Sequence, residues 1–508
     1  MTQRLLVFVF LTFVFLLAGT AALASAPKLA LQAASSRAVT LEVPADFPTI
    51  QTAIDAASDG DTVLVAPGIY SESIDFHDKS ITVASVAGPT VTLIDGSNQA
   101  SGYVVRIDGM QAGAILRGFT ITGGFGSNMI GPGGGILVRD SEASLMDLAV
   151  TANQGVIGGG LLVDNAGVVL NDVVFSDNLA LFGGAIRVEG GNVTVSGSRF
   201  ESNQAQADGG ALSVFWADEL TLVDIVFEGN RAHGIGAAMA ISNTVLDAKD
   251  LRFTGNGEAV PAGHPPGSSV SYSPLVGGAL YTANVSGTLD RARFQGNAAF
   301  RGAAYYAAGN SQLVISNALI EGNQAGTGVV FVNGSSPSLI NTTLINNDGF
   351  GIFTTFGAQP LLANSIVSGH GSVASQEIGG NGLVQVQYSL INGSFNGVNL
   401  GAGVIVDEPP GLDTDEDFRP LPGSPVIDAG NNGLLTEGIA VDLLGQPRFV
   451  EDPDAPNTGV GEGAIVDLGA VERQVDLPNR PAPVPWDSMM PINRPAPRPM
   501  PTRPGKNP

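Results

Sequence analysis

Apolar residues in this chain fall in short alternating runs, and the runs are broken by glycine and asparagine at a constant interval. A Gly-Gly-(Ala/Gly)-aliphatic tetrad occurs at Gly133–Ile136, Gly158–Leu161, Gly183–Ile186, Gly209–Leu212 and Gly277–Leu280, with a worn copy at Gly302–Tyr305. A second element places an aromatic or aliphatic residue three positions before an asparagine. It reads Phe175–Asn178, Phe200–Asn203, Phe227–Asn230, Phe253–Asn256 and Phe294–Asn297, with aliphatic versions at Val150–Asn153, Ile320–Asn323 and Leu344–Asn347. The period is about 25 residues, inside the range of solenoids. Alternation within each run predicts β-strands with one face buried. Glycine supplies positive φ at the corners, and asparagine tolerates that region while its amide bonds locally. Asparagines stacked at one corner would form a side-chain ladder. Successive parallel strands lie about 4.8 Å apart, so roughly 12–14 coils would make a rod about 60 Å long.

Two stretches depart from the repeat. Before it, Ile50, Ala53, Ile54 and Ala57 lie at helical spacing, which predicts a short amphipathic helix ended by Asp59-Gly60-Asp61. A helix there would cover the open edge of the first coil, which otherwise invites aggregation. Within the repeat, the spacing between Phe253 and Phe294 is too long, and the excess, Glu258–Ser273, reads as a loop leaving the wall. After residue 404 the repeat stops, and from 475 the chain is rich in Pro and Arg, as an extended tail would be. The expected layout is a signal peptide at 1–24, a linker at 25–40, the solenoid at 41–403, a small β-rich module at 404–474 and a tail at 475–508.

Composition sharpens this picture. Glycine, at 68 of 508 residues, is nearly double its usual share, but it is periodic and apolar residues reach 44%, so the chain is not a disordered one. A formal net charge of −24 argues against nucleic acid, whose phosphates need a basic surface. It argues equally against polyuronates or anionic lipid unless a divalent cation bridges. Arg4, the apolar run Leu5–Leu17 and Ala22-Leu23-Ala24 have the form of a secretory signal. No second apolar stretch has the length of a membrane span, so no transmembrane segment is expected in the mature chain. Cysteine is absent, which removes disulfides, thiol catalysis and thiolate metal sites together.

The paired tetrad and Phe-x-x-Asn elements resemble the repeats of chlamydial polymorphic outer membrane proteins over about residues 110–350. The segment Ile50–Tyr70 resembles the first coil of bacterial pectin-lyase-like proteins. Leu421–Asn431, Asp442–Val450 and Val466–Glu472 resemble the choice-of-anchor Q region that follows such solenoids in bacterial surface proteins. Together they imply a right-handed parallel β-helix placed outside the cell or on its surface. The segment after 404 is short for the transporter barrel of the polymorphic proteins, and the resemblance carries no catalytic residue.

Candidate chemistry follows from aligning the coils on the tetrad. Ile186 and Val188 then point inward, and Arg187 and Glu189 outward. Arg139, Asp164, Glu189 and Phe215 stack in one outward column, with Trp216 beside its end. Carboxylates, a guanidinium and an aromatic platform make this the best candidate sugar-binding patch. The four histidines, His77, His233, His264 and His370, are scattered. Asp413, Asp415 and Asp417 alternate as in a calcium loop, making Ca2+ the one cofactor suggested. They do not form an EF-hand, because Phe418 stands where Gly is needed and Ser424 where the closing Glu belongs. No P-loop, zincin or nucleophile-elbow pattern is present.

The expectation is an all-β, right-handed parallel β-helix that is secreted or held at the bacterial surface. Its wall would bind an extracellular polysaccharide or cell-surface component. The alternative is a pectate-lyase-like lyase or hydrolase acting on an acidic glycan.

Overall fold

The computed structural model describes residues 38–475 except 100–101, 110–112, 127–133, 259–275, 372–375 and 416. The signal sequence, most of the linker, nearly all of the Glu258–Ser273 insertion and the tail from 476 lie outside the described residues.

The described chain winds into a right-handed parallel β-helix of about 13 turns. Its longest strands are ten residues, among them Glu142–Thr151, Gly167–Ser176, Glu219–Glu228, Val245–Thr254, Ser286–Gln295 and Gln312–Glu321. Each of these six is bent in the middle by one residue with positive φ, for example Asp147, Asp172, Asp224 and Asp250. The bend shifts the side-chain alternation by one. Ala143 and Leu145 are buried before it, Leu148 and Val150 after it. One strand therefore lines two walls, and these strands belong to a 23-stranded sheet. A 14-stranded sheet, running in chain order from Ile74–Asp75 to Ser394–Phe395, faces them. The core between is continuous, because inward positions of every coil stack on the same positions of the next.

Close packing explains both repeated motifs. The first tetrad glycine has positive φ, +62° at Gly158 and +66° at Gly183. A Cβ there would sit 2.2 Å from the carbonyl oxygen of Leu161 or Ile186. A Cβ on the second glycine would strike the next coil, at 2.2 Å from the Gly210 oxygen in the case of Gly184. At the third position Ala185, Ala211 and Ala279 fit fully buried, so the motif relaxes there. The phenylalanines of the other motif form one inward stack. The centroid spacings are 5.2, 4.9, 5.0 and 4.8 Å from Phe175 through Phe200, Phe227 and Phe253 to Phe294.

Its asparagines form the ladder that their spacing implied. Asn203 Oδ1 accepts both the backbone N–H of Asn178 at 3.1 Å and its Nδ2 at 3.0 Å. Asn203 Nδ2 in turn donates to the Phe175 carbonyl at 2.9 Å. Every buried polar atom at this corner is thereby satisfied without water. The ladder runs from Asn153 through Asn347 and ends on buried His370. There Asn347 Nδ2 lies 3.2 Å from Nε2, and Nδ1 meets buried Glu377 at 2.5 Å. One of the scattered histidines is thus the terminator of a structural ladder.

The helix Ile50–Ala56 covers the first coil as expected, with Ile50, Ala53 and Ile54 buried. Thr49 and Thr52 close a capping box. Glu72 accepts from the first two backbone N–H groups, at 2.9 and 3.0 Å.

The C-terminal segment holds less strand than its sequence suggested. Its described residues hold the strand Ile405–Val406 that continues the solenoid sheet, the antiparallel pair Leu412–Asp413 with Arg419–Pro420, two isolated bridges and a short 3-10 turn at Asn432–Leu434. Proline and glycine break ladders, and aspartates cap backbone N–H groups instead: Asp442 accepts from Leu444, Gln446 and Glu472. The segment packs on the side of the solenoid. Phe418, Leu443, Ala470 and Val471 cover Leu319 and Ile345, while Val426, Ala429 and Leu468 cover Ile366 and Leu390.

Candidate functional site

The 14-stranded sheet carries the candidate patch. Its register places Asp108, Arg139, Asp164, Glu189 and Phe215 side by side on successive strands, in the column that the tetrad alignment implied. Ile186 and Val188 are fully buried and Arg187 and Glu189 are partly exposed, as the alternation required.

The side chains are joined in ion pairs. Arg139 Nε donates to Asp164 Oδ2 at 2.7 Å, and Asp108 approaches the same guanidinium at 3.9 Å. Arg106 pairs with Asp108 and approaches Asp75 at 3.7 Å. Glu189 is held by Arg187 at 3.0 Å rather than by the column itself. Arg187 also donates to Ser213 Oγ at 2.8 Å, and its guanidinium lies over the rings of Phe182 and Phe215 at 5.7 and 5.5 Å. Stacked between two aromatic faces, the cation is fixed in place. Phe215 and Trp216 meet edge to face at 5.6 Å, and Trp216 is 60% exposed.

Electrostatics follow the geometry. Arg139 is held above its ordinary pKa, chiefly by its hydrogen bond to Asp164. Tyr103 stands in the same field. Burial pushes its hydroxyl up to about 12, opposed by Arg139 and reinforced by Asp164 and Glu189. That hydroxyl is buried without a hydrogen-bond partner. Asp208, near Arg187, is raised by burial while the Ile235 N–H and Arg187 pull it down.

All five expected residues therefore lie together. Further contributors were legible in the repeat alignment only in part or not at all. Arg187 was legible as outward-facing, but its partners were not. Phe182 belongs to a separate three-stranded sheet, and Tyr103 precedes the first complete tetrad.

The acidic run is partly engaged within the fold. Asp413 Oδ1 accepts the N–H of Asp415 at 3.0 Å, and Asp417 is bound by Arg293 at 2.7 Å. Among the described residues, no three acidic or histidine side chains converge as a metal site. Asp417 is thus committed to a guanidinium and Asp413 to a turn.

What the wall offers is a ribbon of paired charges ending in an exposed aromatic corner. Its guanidinium and carboxylate groups present donors and acceptors outward, and no single sign of charge dominates. Glycoside hydrolysis asks one carboxyl to donate a proton and its partner to stay charged. Here Asp164 and Glu189 are each engaged by an arginine.

No protein-family model matches the chain, and no curated protein matches its sequence. Among solved structures it is similar to pectate lyase Pel9A, at 15% identity and a TM-score of 0.31 over 83% of this chain and 90% of that one. It is also similar to PfbA, a surface adhesin of Streptococcus pneumoniae, at 10% identity and a TM-score of 0.31 over 67% and 87% of the two chains. A third is the A-module of the Azotobacter vinelandii mannuronan C-5 epimerase AlgE6, at 14% identity and a TM-score of 0.28 over 71% and 94%. The fold assignment rests on the strand register itself, and no activity follows from these likenesses. Among the described residues no helix is long and apolar enough to cross a membrane.

Proposed function

We propose that this is a secreted or surface-held protein that binds glycan through the wall of its solenoid, in adhesion or in attachment to a polysaccharide matrix. The layout would be the signal peptide 1–24, the solenoid 41–403, a lateral module 404–474 of the choice-of-anchor Q type and the tail 475–508. The repeats would be of the polymorphic outer membrane protein type. The observation that carries the reading is the single wall on which Arg139–Asp164, Arg187–Glu189 and Phe215–Trp216 stand on neighbouring strands. Sugars are recognised by hydrogen bonds to their hydroxyls and by apolar contact with aromatic faces, and this wall has both within a few strand spacings. The mutual pairing of arginines and carboxylates keeps the patch polar without making it an anion trap.

The test is incubation of the full chain with a panel of polyuronates and neutral glycans, with Ca2+ or with chelator. Binding, polymer length and the ultraviolet absorbance of unsaturated ends would be followed. Retention of one or more glycans with polymer length unchanged is the expected result, and Trp216→Ala should weaken retention of long chains about tenfold. Calcium-dependent shortening of a polyuronate would instead establish the lyase or hydrolase alternative and make Asp164 and Glu189 the first mutational targets.

A further inference from the structure

One corner of the solenoid follows directly after the candidate column, and nine successive coils cross it with a residue at positive φ. Strand pairing aligns these residues as Asp140, Asn165, Gly190, Trp216, Asn243, Asn284, Gly309, Gly334 and Phe356. Seven of the nine are Asp, Asn or Gly, the residues that tolerate this backbone region. The other two are large aromatics, Trp216 at φ +62° and Phe356 at φ +52°. Bulky side chains are outliers there, and such outliers persist where the surrounding structure imposes them and a function uses them. Neither ring is spent on packing the core: Trp216 is 60% exposed and Phe356 83%. Five strand spacings separate them, roughly 24 Å along the axis.

We propose that Trp216 and Phe356 are the two ends of one linear binding edge, which holds an extended, uncharged glycan chain parallel to the solenoid axis. The proposal rests on the glycan-binding reading above and deepens it. Between the two rings the edge offers Asn243 and Asn284, whose amides already bond to each other at 3.0 Å, and then Gly309 and Gly334, which leave room for a chain to lie flat. A protein partner would need a contiguous apolar patch, and two rings this far apart do not make one. The net charge of −24 disfavours a polyanion, and the neighbouring arginines are already paired with carboxylates.

The experiment titrates the full chain and the variants Trp216→Asn, Phe356→Asn and the double variant with short and long oligomers of neutral β-linked glucan, xylan and mannan, and with polyuronate. Asparagine is native to this corner in neighbouring coils, so the fold should survive. Thermal unfolding should occur at the same temperature or higher, since strain is relieved. For a long oligomer each single variant should weaken binding about tenfold and the double variant about a hundredfold. Short oligomers, which need only one ring, should bind either single variant as well as the parent. If Phe356→Asn leaves long-oligomer affinity unchanged while Trp216→Asn reduces it, the edge is refuted and the wall reading stands. A marked fall in unfolding temperature in either variant would assign the rings to packing and overturn the proposal. Preference for polyuronate would overturn it as well. Failure of every glycan, neutral or acidic, to bind would remove both readings.

Discussion

The corner at the middle of the long strands has two halves that share a backbone and differ in chemistry. In the first half its positive-φ residues are Asp147, Asp172, Gly197, Asp224 and Asp250, and Asp147 and Asp172 face solvent. In the second half they are Asn317, Asn341 and Asn364, all fully buried, and then the half-buried Tyr388. Between them Arg291 grips Asp250 with two bonds of 2.7 and 2.6 Å. The amide half is where the C-terminal module docks. Asn317 Oδ1 receives Arg448 at 2.6 Å, Asn341 Nδ2 donates to the Asp467 carbonyl at 3.4 Å, and Asn364 exchanges two bonds with the Asn431 backbone at 2.8 and 3.0 Å. The adjoining outward positions change in step. Arg199, Val226, Arg252 and Arg293 give way to Leu319, then Thr343, Ile366 and Leu390. Aspartate and asparagine serve the turn equally well, but only the amide can both donate and accept toward a docked backbone. A turn position with no demand on side-chain chemistry has thus been used to mark which wall is covered and which stays open.

The strongest way to break this contrast is to remove the guanidinium that seals the covered half. Arg448 is fully buried and binds Asn317, the Ala470 carbonyl and, at 3.4 Å, Glu472. Arg448→Met should cost about 3–5 kcal/mol, because Glu472 is left buried without its cation. Denaturant unfolding would measure this, and hydrogen exchange should localise the loss to residues 404–475 and not to the Phe stack. Next in size is Asn364→Asp, which converts the covered corner to the open type. It removes the donor to the Asn431 carbonyl and sets a charge against that oxygen, at a cost of about 1–3 kcal/mol. A neutral outcome in the same unfolding assay would show that the amides do not discriminate.

Proton uptake sharpens the comparison further. In the covered half burial pushes Asp428 up to about 6 and Asp467 up to about 7, and it raises Asp442 and Glu472 as well. Arg448 pulls Asp442, Asp467 and Glu472 down, and Asp428 and Asp467 reinforce their acidic neighbours. These carboxyls bind protons more tightly in the folded chain than in the unfolded one, where an Asp titrates near 4. The folded state therefore holds the extra protons between about pH 4 and 7, and stability falls as pH rises through that window. The unfolding temperature should be higher at pH 5 than at pH 8, and Asp428→Asn should flatten the dependence. A rise in stability from pH 5 to 8 would contradict the burial argument. The smallest effect belongs to the open half. Asp224 is raised by burial and by its neighbours Asp250 and Asp172, so Asp224→Asn should change stability by no more than about 0.5 kcal/mol, in the favourable direction. A large loss would mean that this corner too supports a docked element.

How much of this was legible varies with the range of the interaction. The ladder of Asn153 to Asn347, the Phe stack and the column of Arg139, Asp164, Glu189 and Phe215 could all be read by aligning coils, because each contact is made with the next repeat. Phe356 could have been found by the same alignment, as the residue after a strand at a corner reserved for Asn and Gly. It was missed because the tetrad had faded by that coil. Arg187 between Phe182 and Phe215 could not be read, since Phe182 lies on a segment outside the aligned strands. The seal of Arg448 on Asn317 spans 131 positions, and nothing local to either residue announces it.

By itself the sequence determined the stack of coils, its corners and the direction in which each strand residue points. The physical reason is that a solenoid is stabilised by nearest-neighbour contacts that recur with the repeat. Only the tertiary structure decided which wall is free to meet a ligand and which lies under the C-terminal module. That choice depends on apolar positions and buried charges brought together from distant parts of the chain, whose matching leaves no periodic trace.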